Sequence, residues 1–279
     1  MQAPSSSTTC FAEMSPDTLL YLLAGVVGAC IGSFLNVCIY RWPENLSVVS
    51  PPSRCPGCGN RIRWYDNVPV LGWLWLRGRC RDCGAKVSIQ YPLVELAVGC
   101  IWAGAVAGLG LTWSALSAAV FFTLVLGIAI TDVKTFIIPH EFTIGGGIIG
   151  IALAFAPGSP TPLAAVLGAA LGFGVMWGVG GAVTAWMRRQ GTLPEDLDSA
   201  LGGGDIWMMG MVGAFLGPVG VGMTIFLGAI AGLLIFLPYQ LISGRRMIPF
   251  GVFLAMGAVL TRLAGDAILA AYLEWAFGA

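Results

Sequence analysis

Seven long apolar runs alternate with polar segments along the chain. The first, Thr18–Tyr40, has 23 residues without a charge, and about 20 apolar residues are enough for a helix to cross the hydrocarbon of a bilayer. After a polar stretch, Arg41–Tyr91, come the runs Pro92–Gly110, Thr112–Thr131, Glu141–Pro157 and Pro162–Met187. A second polar stretch, Arg188–Gly204, precedes Ile206–Leu237, and the last run is Pro249–Ala271. The pattern predicts an all-α polytopic membrane protein. Ile206–Leu237, at 32 residues, is too long for one untilted span and too short for two full ones. The break Leu216-Gly-Pro-Val-Gly220 predicts two short helices joined by a tight turn. The expected count is therefore about eight transmembrane helices.

The charges agree with that count. Cytoplasmic loops collect Lys and Arg. With eight spans, the eight basic residues of 41–91, Lys134, Arg188, Arg189, Arg245 and Arg246 all fall on one side, leaving only Arg262 inside a span. With seven, Arg245 and Arg246 face the other side. Both termini are then expected outside. The N-terminal residues 1–17 lack a basic segment and read as a polar tail, with the first apolar run retained. Composition removes other classes: 57% of residues are hydrophobic and 10% charged, against about 25% charged in a soluble domain. Lys+Arg and Asp+Glu both number 14, and no basic stripe points to nucleic acid.

Four of the eight cysteines lie in the polar stretch 41–91, as Cys55-Pro-Gly-Cys58 and Cys80-Arg-Asp-Cys83, separated by 21 residues. Each pair places two thiolates on one tetrahedral ion, and two pairs close a four-cysteine zinc site. Two disulfides or a redox pair are the competing readings; a reducing cytoplasmic loop disfavours the first, and a redox pair does not need a second. A loop of this size has too little core to fold alone, so metal is expected to supply much of its stability. Cys30, Cys38 and Cys100 lie in apolar runs and, with Cys10 in the tail, are given no role.

Acids near or within spans are costly and therefore informative. They are Glu95, Asp132, Glu141, Asp205 and Asp266, with Glu274 at the C-terminal edge. Asp266 shares a helix face with Arg262 and is expected to be neutralised by it. Glu141 suits the positive end of a helix dipole. Asp132 and Asp205 are 73 positions apart, yet the eight-span topology puts both at the cytoplasmic edge of the membrane. Gly202, Gly203 and Gly204 precede Asp205 and let another chain approach closely. Two carboxyls sharing a site cannot both ionise readily, so one holds a proton while the other activates water. The single histidine, His140, reads as a cap or interface residue as readily as a ligand, and without an HExxH a zincin is excluded.

Taken together, these residues resemble the bacterial type IV prepilin peptidases, membrane aspartic proteases of the GxGD class. The resemblance is carried by Gly32-Ser-Phe-Leu-Asn36-Val, Arg41-Trp-Pro43, Trp64-Tyr-Asp66-Asn67-Val-Pro69, Arg77-Gly-Arg79 with the two cysteine pairs, and Ser88-Ile-Gln-Tyr91-Pro92-Leu-Val-Glu95. It continues through Asp132 with six residues before Pro139, Gly202-Gly203-Gly204-Asp205, and Ile248-Pro249-Phe250-Gly251. It implies a bifunctional enzyme of the bacterial inner membrane that cuts the basic leader of prepilins or pseudopilins on the cytoplasmic side. The new N-terminus is then methylated with S-adenosylmethionine. Carried over by motif, Asp132 and Asp205 are the catalytic pair and the glycines receive substrate. The cysteine module, residues 41–91, accompanies the methylating members, with the peptidase membrane domain in 92–279. Asp66, Asn67 and Glu95 are candidates for the methyl-donor half. One departure is His140, where relatives carry Asp or Asn. The alternatives are a peptidase alone, or a transporter using paired acids for protons or cations, although no internal repeat supports the latter.

Overall fold

The computed structural model describes residues 15–194, 197–243 and 249–278. Most of the N-terminal tail with Cys10, and Arg245, Arg246 and Ile248, lie outside the described residues. Eight α-helices and a 3₁₀ turn account for the regular structure, with no strand among the described residues beyond two isolated bridges. The helices are α1 (Pro16–Arg41), α2 (Leu71–Trp75), α3 (Gln90–Leu109), α4 (Trp113–Thr135), α5 (His140–Leu153), α6 (Pro162–Gln190), α7 (Gly203–Ser243) and α8 (Phe250–Phe277). Six are long and apolar enough to span a bilayer, and α5 is a shorter apolar helix. The chain is a multi-pass membrane protein.

Local signals set several boundaries. Ser15, Thr112 and Thr161 cap α1, α4 and α6 by accepting the N–H of Thr18, Ala115 and Ala164, each at 3.2 Å, which satisfies one of the orphan donors of a first turn. The helices overrun the apolar runs at the polar ends. Asp132 accordingly lies inside α4, one turn before its end, and Asp205 is the third residue of α7.

The predicted break in the sixth apolar run is present. Gly217 has φ 71° and ψ −177°, followed by Pro218, and interrupts α7. Close contacts show that the chain reverses there. The first half of α7 runs parallel to α5, with Gly146 against Met211 and Gly150 against Phe215. The second half runs antiparallel to α8, with Gly228 against Phe253 and Thr224 against Thr261. Since α5 and α8 both start beside Asp132 and lead away from it, the halves of α7 have opposite directions. The eight predicted segments are thus six long helices, one of them folded back on itself, plus the short α5.

Helices in lipid have no hydrophobic drive toward one another and associate through close packing of small residues. A Cβ on Gly168 would lie 2.2 Å from the Gly213 carbonyl oxygen, and one on Gly172 would lie 2.1 Å from that of Met209. These contacts bring the backbones of α6 and α7 together. Gly28 and Gly32 do the same for α1 against Val98 and Glu95 of α3. At 14 residues, α5 is about 21 Å long, as is the first half of α7. Both are shorter than the roughly 30 Å hydrocarbon core. Arg262 and Asp266 share a face of α8 but are not an ion pair. The ion pairs among the described residues are Arg63–Asp82 and Arg81–Asp66.

Candidate functional site

The four cysteines of the module converge. Their sulfurs all lie within 4.8 Å of one another, and Cys55 Sγ is 3.8 Å from Cys83 Sγ. All are free thiols. A tetrahedral zinc–thiolate site with bonds of about 2.3 Å has sulfur–sulfur edges of about 3.8 Å, so the donor set fits such an ion. The two halves are built alike. In each, the second cysteine is followed by a left-handed glycine, Gly59 (φ 73°) or Gly84 (φ 71°). Its N–H bonds back to the carbonyl of the first cysteine, at 2.8 and 2.9 Å. The first cysteine N–H closes the turn on Asn60 or Ala85, at 2.9 and 2.8 Å. The backbone N–H groups of Cys58 and Gly57 stabilise the thiolate of Cys55 and lower its pKa to about 7.

Around this pair of turns, Asp66 accepts a two-pronged bond from Arg81, whose Nε lies 2.9 Å from Oδ2. The guanidinium holds the Asp66 carboxyl below its usual range. Asp82 takes Arg63 and Asn60, both at 3.2 Å. Glu95, buried on α3, accepts the N–H of Val70 at 2.7 Å. Of the three residues considered for the methyl donor, Asp66 and Glu95 therefore have committed carboxylates, and Asn67 is exposed. None of the three lines the apolar groove at Ser88–Val94 or the cavity beside Gly203.

The second constellation lies among α4, α7 and α8. Asp132 and Asp205 are 5% and 8% exposed and within electrostatic reach of each other. Phe136 takes a left-handed conformation (φ 55°) that ends α4, its N–H bonded to the Asp132 carbonyl at 2.9 Å. After this sharp turn, Ile138 meets glycines that neighbour both acids. Ile138 packs on Gly204 on one side, where a Cβ would come within 2.7 Å of the Ile138 Cβ. On the other it packs on Gly251, where a Cβ would come within 2.7 Å of its Cδ1. The same Gly251 Cβ would lie 2.8 Å from Asp132 Oδ2. The Val252 N–H, in the first turn of α8, donates to that oxygen at 3.0 Å. Asp205 Oδ1 is buried with no protein partner, so it is the atom left to meet water or substrate.

The glycines before Asp205 differ in what they do. Gly204 permits the contact with Ile138, and a Cβ on Gly202 would sit 3.0 Å from Asp205 Oδ2. Gly203 faces open space and lines a cavity of about 490 Å³ with Trp177, Thr184, Arg188, Ser199 and Leu201. His140 is the first residue of α5 and meets Trp207 edge-on, with ring centroids 6.2 Å apart. It is an interface residue beside the site. Glu141 sits in the first turn of α5, as expected.

The first turn of α8 was not assigned a role from the sequence. Its signal was the stretch Pro249-Phe250-Gly251, which was visible without any indication of what it touches. Gly251→Val is expected to displace the Asp132 carboxyl, and a misplacement of about 1 Å lowers a rate by about 10²-fold. Steady-state kinetics should show the loss in kcat rather than KM; an unchanged kcat would remove α8 from the site.

Comparison with known proteins identifies the family. The Bacterial Peptidase A24 N-terminal domain matches residues 26–108, and the Type IV leader peptidase family matches residues 119–237. A Prepilin leader peptidase/N-methyltransferase of Pectobacterium carotovorum is 32% identical over 280 residues, covering 89% of this chain and 94% of the relative. One from Bacillus subtilis is 31% identical over 261 residues, covering 91% and 98%. One from Myxococcus xanthus is 42% identical over 194 residues, covering 68% of this chain and 54% of that protein. No solved structure matches. With both family models matched in turn along the chain, and the Pectobacterium and Bacillus relatives 32% and 31% identical over 89% and 91% of it, the chain belongs to the type IV leader peptidase family.

Proposed function

We propose that this protein is a prepilin leader peptidase and N-methyltransferase, with Asp132 and Asp205 as the hydrolytic pair. The observation that carries the reading is the convergence of two buried carboxyls from α4 and α7, one held by the α8 N-terminus and the other with a free, buried oxygen. In such a pair, the ionised carboxylate takes a proton from water as it adds to the scissile carbonyl, and the protonated partner donates to the carbonyl oxygen. The resulting gem-diol collapses, the C–N bond breaks, and the amine leaves with a proton from the pair. No covalent intermediate is needed.

The substrate is a prepilin or pseudopilin with a basic leader followed by an apolar helix. Its scissile bond lies where the polar leader meets the membrane. The cavity beside Gly203 offers an approach for an extended segment, and Asp132 in the last turn of α4 and Asp205 in the first turn of α7 lie at helix ends, where such a boundary falls. The eight basic residues of 41–91 put this side in the cytoplasm of a bacterial cell whose inner membrane holds the protein. The module holds a structural zinc on Cys55, Cys58, Cys80 and Cys83. S-adenosylmethionine supplies the methyl group for the new N-terminus. In this structure Asp66 is engaged by Arg81 and Glu95 by the Val70 N–H.

The test is mass spectrometry of a prepilin incubated with the purified protein in detergent, with and without S-adenosylmethionine. Loss of the leader, with one added methyl group only when the donor is present, is the expected result. Leader loss without methylation would reduce the reading to a peptidase. No cleavage, where a relative cuts the same substrate, would return the paired acids to ion or proton transport.

A further inference from the structure

We propose that the four-cysteine module is not suspended in water, and that α2 lies in the membrane–water interface with Leu71, Leu74 and Trp75 facing lipid. The depth follows from one hydrogen bond. α3 has 20 residues, a length of about 30 Å that matches the hydrocarbon core. Glu95 is its sixth residue, about 7 to 8 Å along the axis from its start. Because the Glu95 carboxylate accepts the Val70 N–H at 2.7 Å, the beginning of α2 is held at that depth. Interfacial helices sink their apolar faces about 5–10 Å into the same zone.

The backbone is built to leave water. Val70 has φ 60° and ψ −52°, and the Leu71 N–H bonds to the Pro69 carbonyl at 2.6 Å, which is the rare positive-φ form of the γ-turn. A β-branched residue there is strained, and a charge-assisted bond from a buried carboxylate is one of the stronger ways to offset that strain. From this turn onward most of the amides are paired within the segment. Gly72 bonds to Val68, Leu74 to Val70, Leu76 to Gly72, Arg77 to Leu74 and Gly78 to Trp73. A segment with its amides paired can leave bulk water at little cost.

The side chains sort accordingly. Leu71, Leu74 and Trp75 share one face of α2 and are 64%, 56% and 81% exposed, so the described residues leave most of that face uncovered. On the other face, Gly72 packs against Asp66, and the Trp73 indole donates to the Val87 carbonyl at 3.1 Å. Next to the anchor itself, Leu93 and Leu96, flanking Glu95 on the membrane helix α3, are likewise 54% and 53% exposed. Directly after α2 come Arg77 and Arg79, both exposed, placed to reach headgroup phosphates while the preceding apolar residues stay below. Trp beside Arg at the end of an apolar turn is the composition favoured at this boundary.

The test uses the full chain in liposomes of mixed neutral and anionic phospholipid, with benzoylphenylalanine in place of Trp75. Lipid-facing Leu96 and the knuckle residue Lys86 are replaced likewise as references. After irradiation, mass spectrometry should find lipid adducts at position 75 at a yield comparable to position 96, and none above background at 86. A position 75 that behaves like 86, or that cross-links only to protein, would overturn the proposal; the second result would make this face a docking site for another chain. In the Trp75 photoprobe background, Glu95→Ala should reduce the lipid adduct toward the position 86 level. Glu95→Gln, which keeps an acceptor for Val70, should retain it. Full adduct in Glu95→Ala would overturn the role of Glu95 in setting the depth.

Discussion

Asp132→Asn and Asp205→Asn are each expected to lower leader cleavage by about 10³-fold or more, with the protein still inserted and folded. Proton transfer by a positioned group contributes about 10²–10⁴-fold, and asparagine keeps the shape of aspartate without supplying either role. At position 132 the amide oxygen still accepts the Val252 N–H, so the junction of α4 with α8 survives. At position 205 one carboxyl oxygen has no protein partner to lose. The double variant should be no slower than the worse single one, because groups that act as a unit are strongly non-additive. Cleavage of a fluorogenic leader peptide, alongside membrane insertion by protease protection, measures both halves of the expectation. Activity surviving in both single variants would dismiss the carboxyl pair as the catalytic machinery.

Removing the metal is the second large perturbation. The purified protein should carry about one zinc per chain, and Cys58→Ser or Cys83→Ser should lose it. Binding free energy at structural zinc sites of this type is about 10–16 kcal/mol and is available to folding. The module has little else: two isolated bridges, a 3₁₀ turn and one five-residue helix. Limited proteolysis within 41–89 should therefore rise sharply after chelation. Methyl transfer should be lost with it. Leader cleavage should persist at a substantial fraction, since the groups that hold the acids, Ile138, Gly204 and Val252, come from the membrane helices. A chain without bound metal, or a module equally resistant after chelation, would contradict this account.

Much of this architecture was legible before any coordinates. The apolar runs located the membrane helices to within a few residues. Leu216-Gly-Pro-Val-Gly220 located the reversal because Gly217 alone tolerates φ 71° and Pro218 cannot continue the hydrogen bonding of the preceding turn. The cysteine spacing located the metal donors because each pair needs only a local turn to converge. Less was legible where the partner is remote. Arg262 and Asp266 have the spacing of an ion pair but do not form one. Asp66 and Glu95 had no visible partners in the sequence, and the structure gives each one, Arg81 and the Val70 N–H, respectively.

The sequence by itself determined the membrane class, the segment count, the four cysteines that cluster and the two acids proposed as the hydrolytic pair, because composition, periodicity and short spacings are local properties. The tertiary structure alone decided what holds those acids. Ile138 packs against Gly204 and Gly251, beside the acids, because α4 ends in a left-handed turn. Val252, 120 positions from Asp132, lends its N–H because the reversal at Gly217 returns the chain and starts α8 at the site. No local pattern encodes such a contact, since it exists only once helices remote in sequence have packed through their glycines.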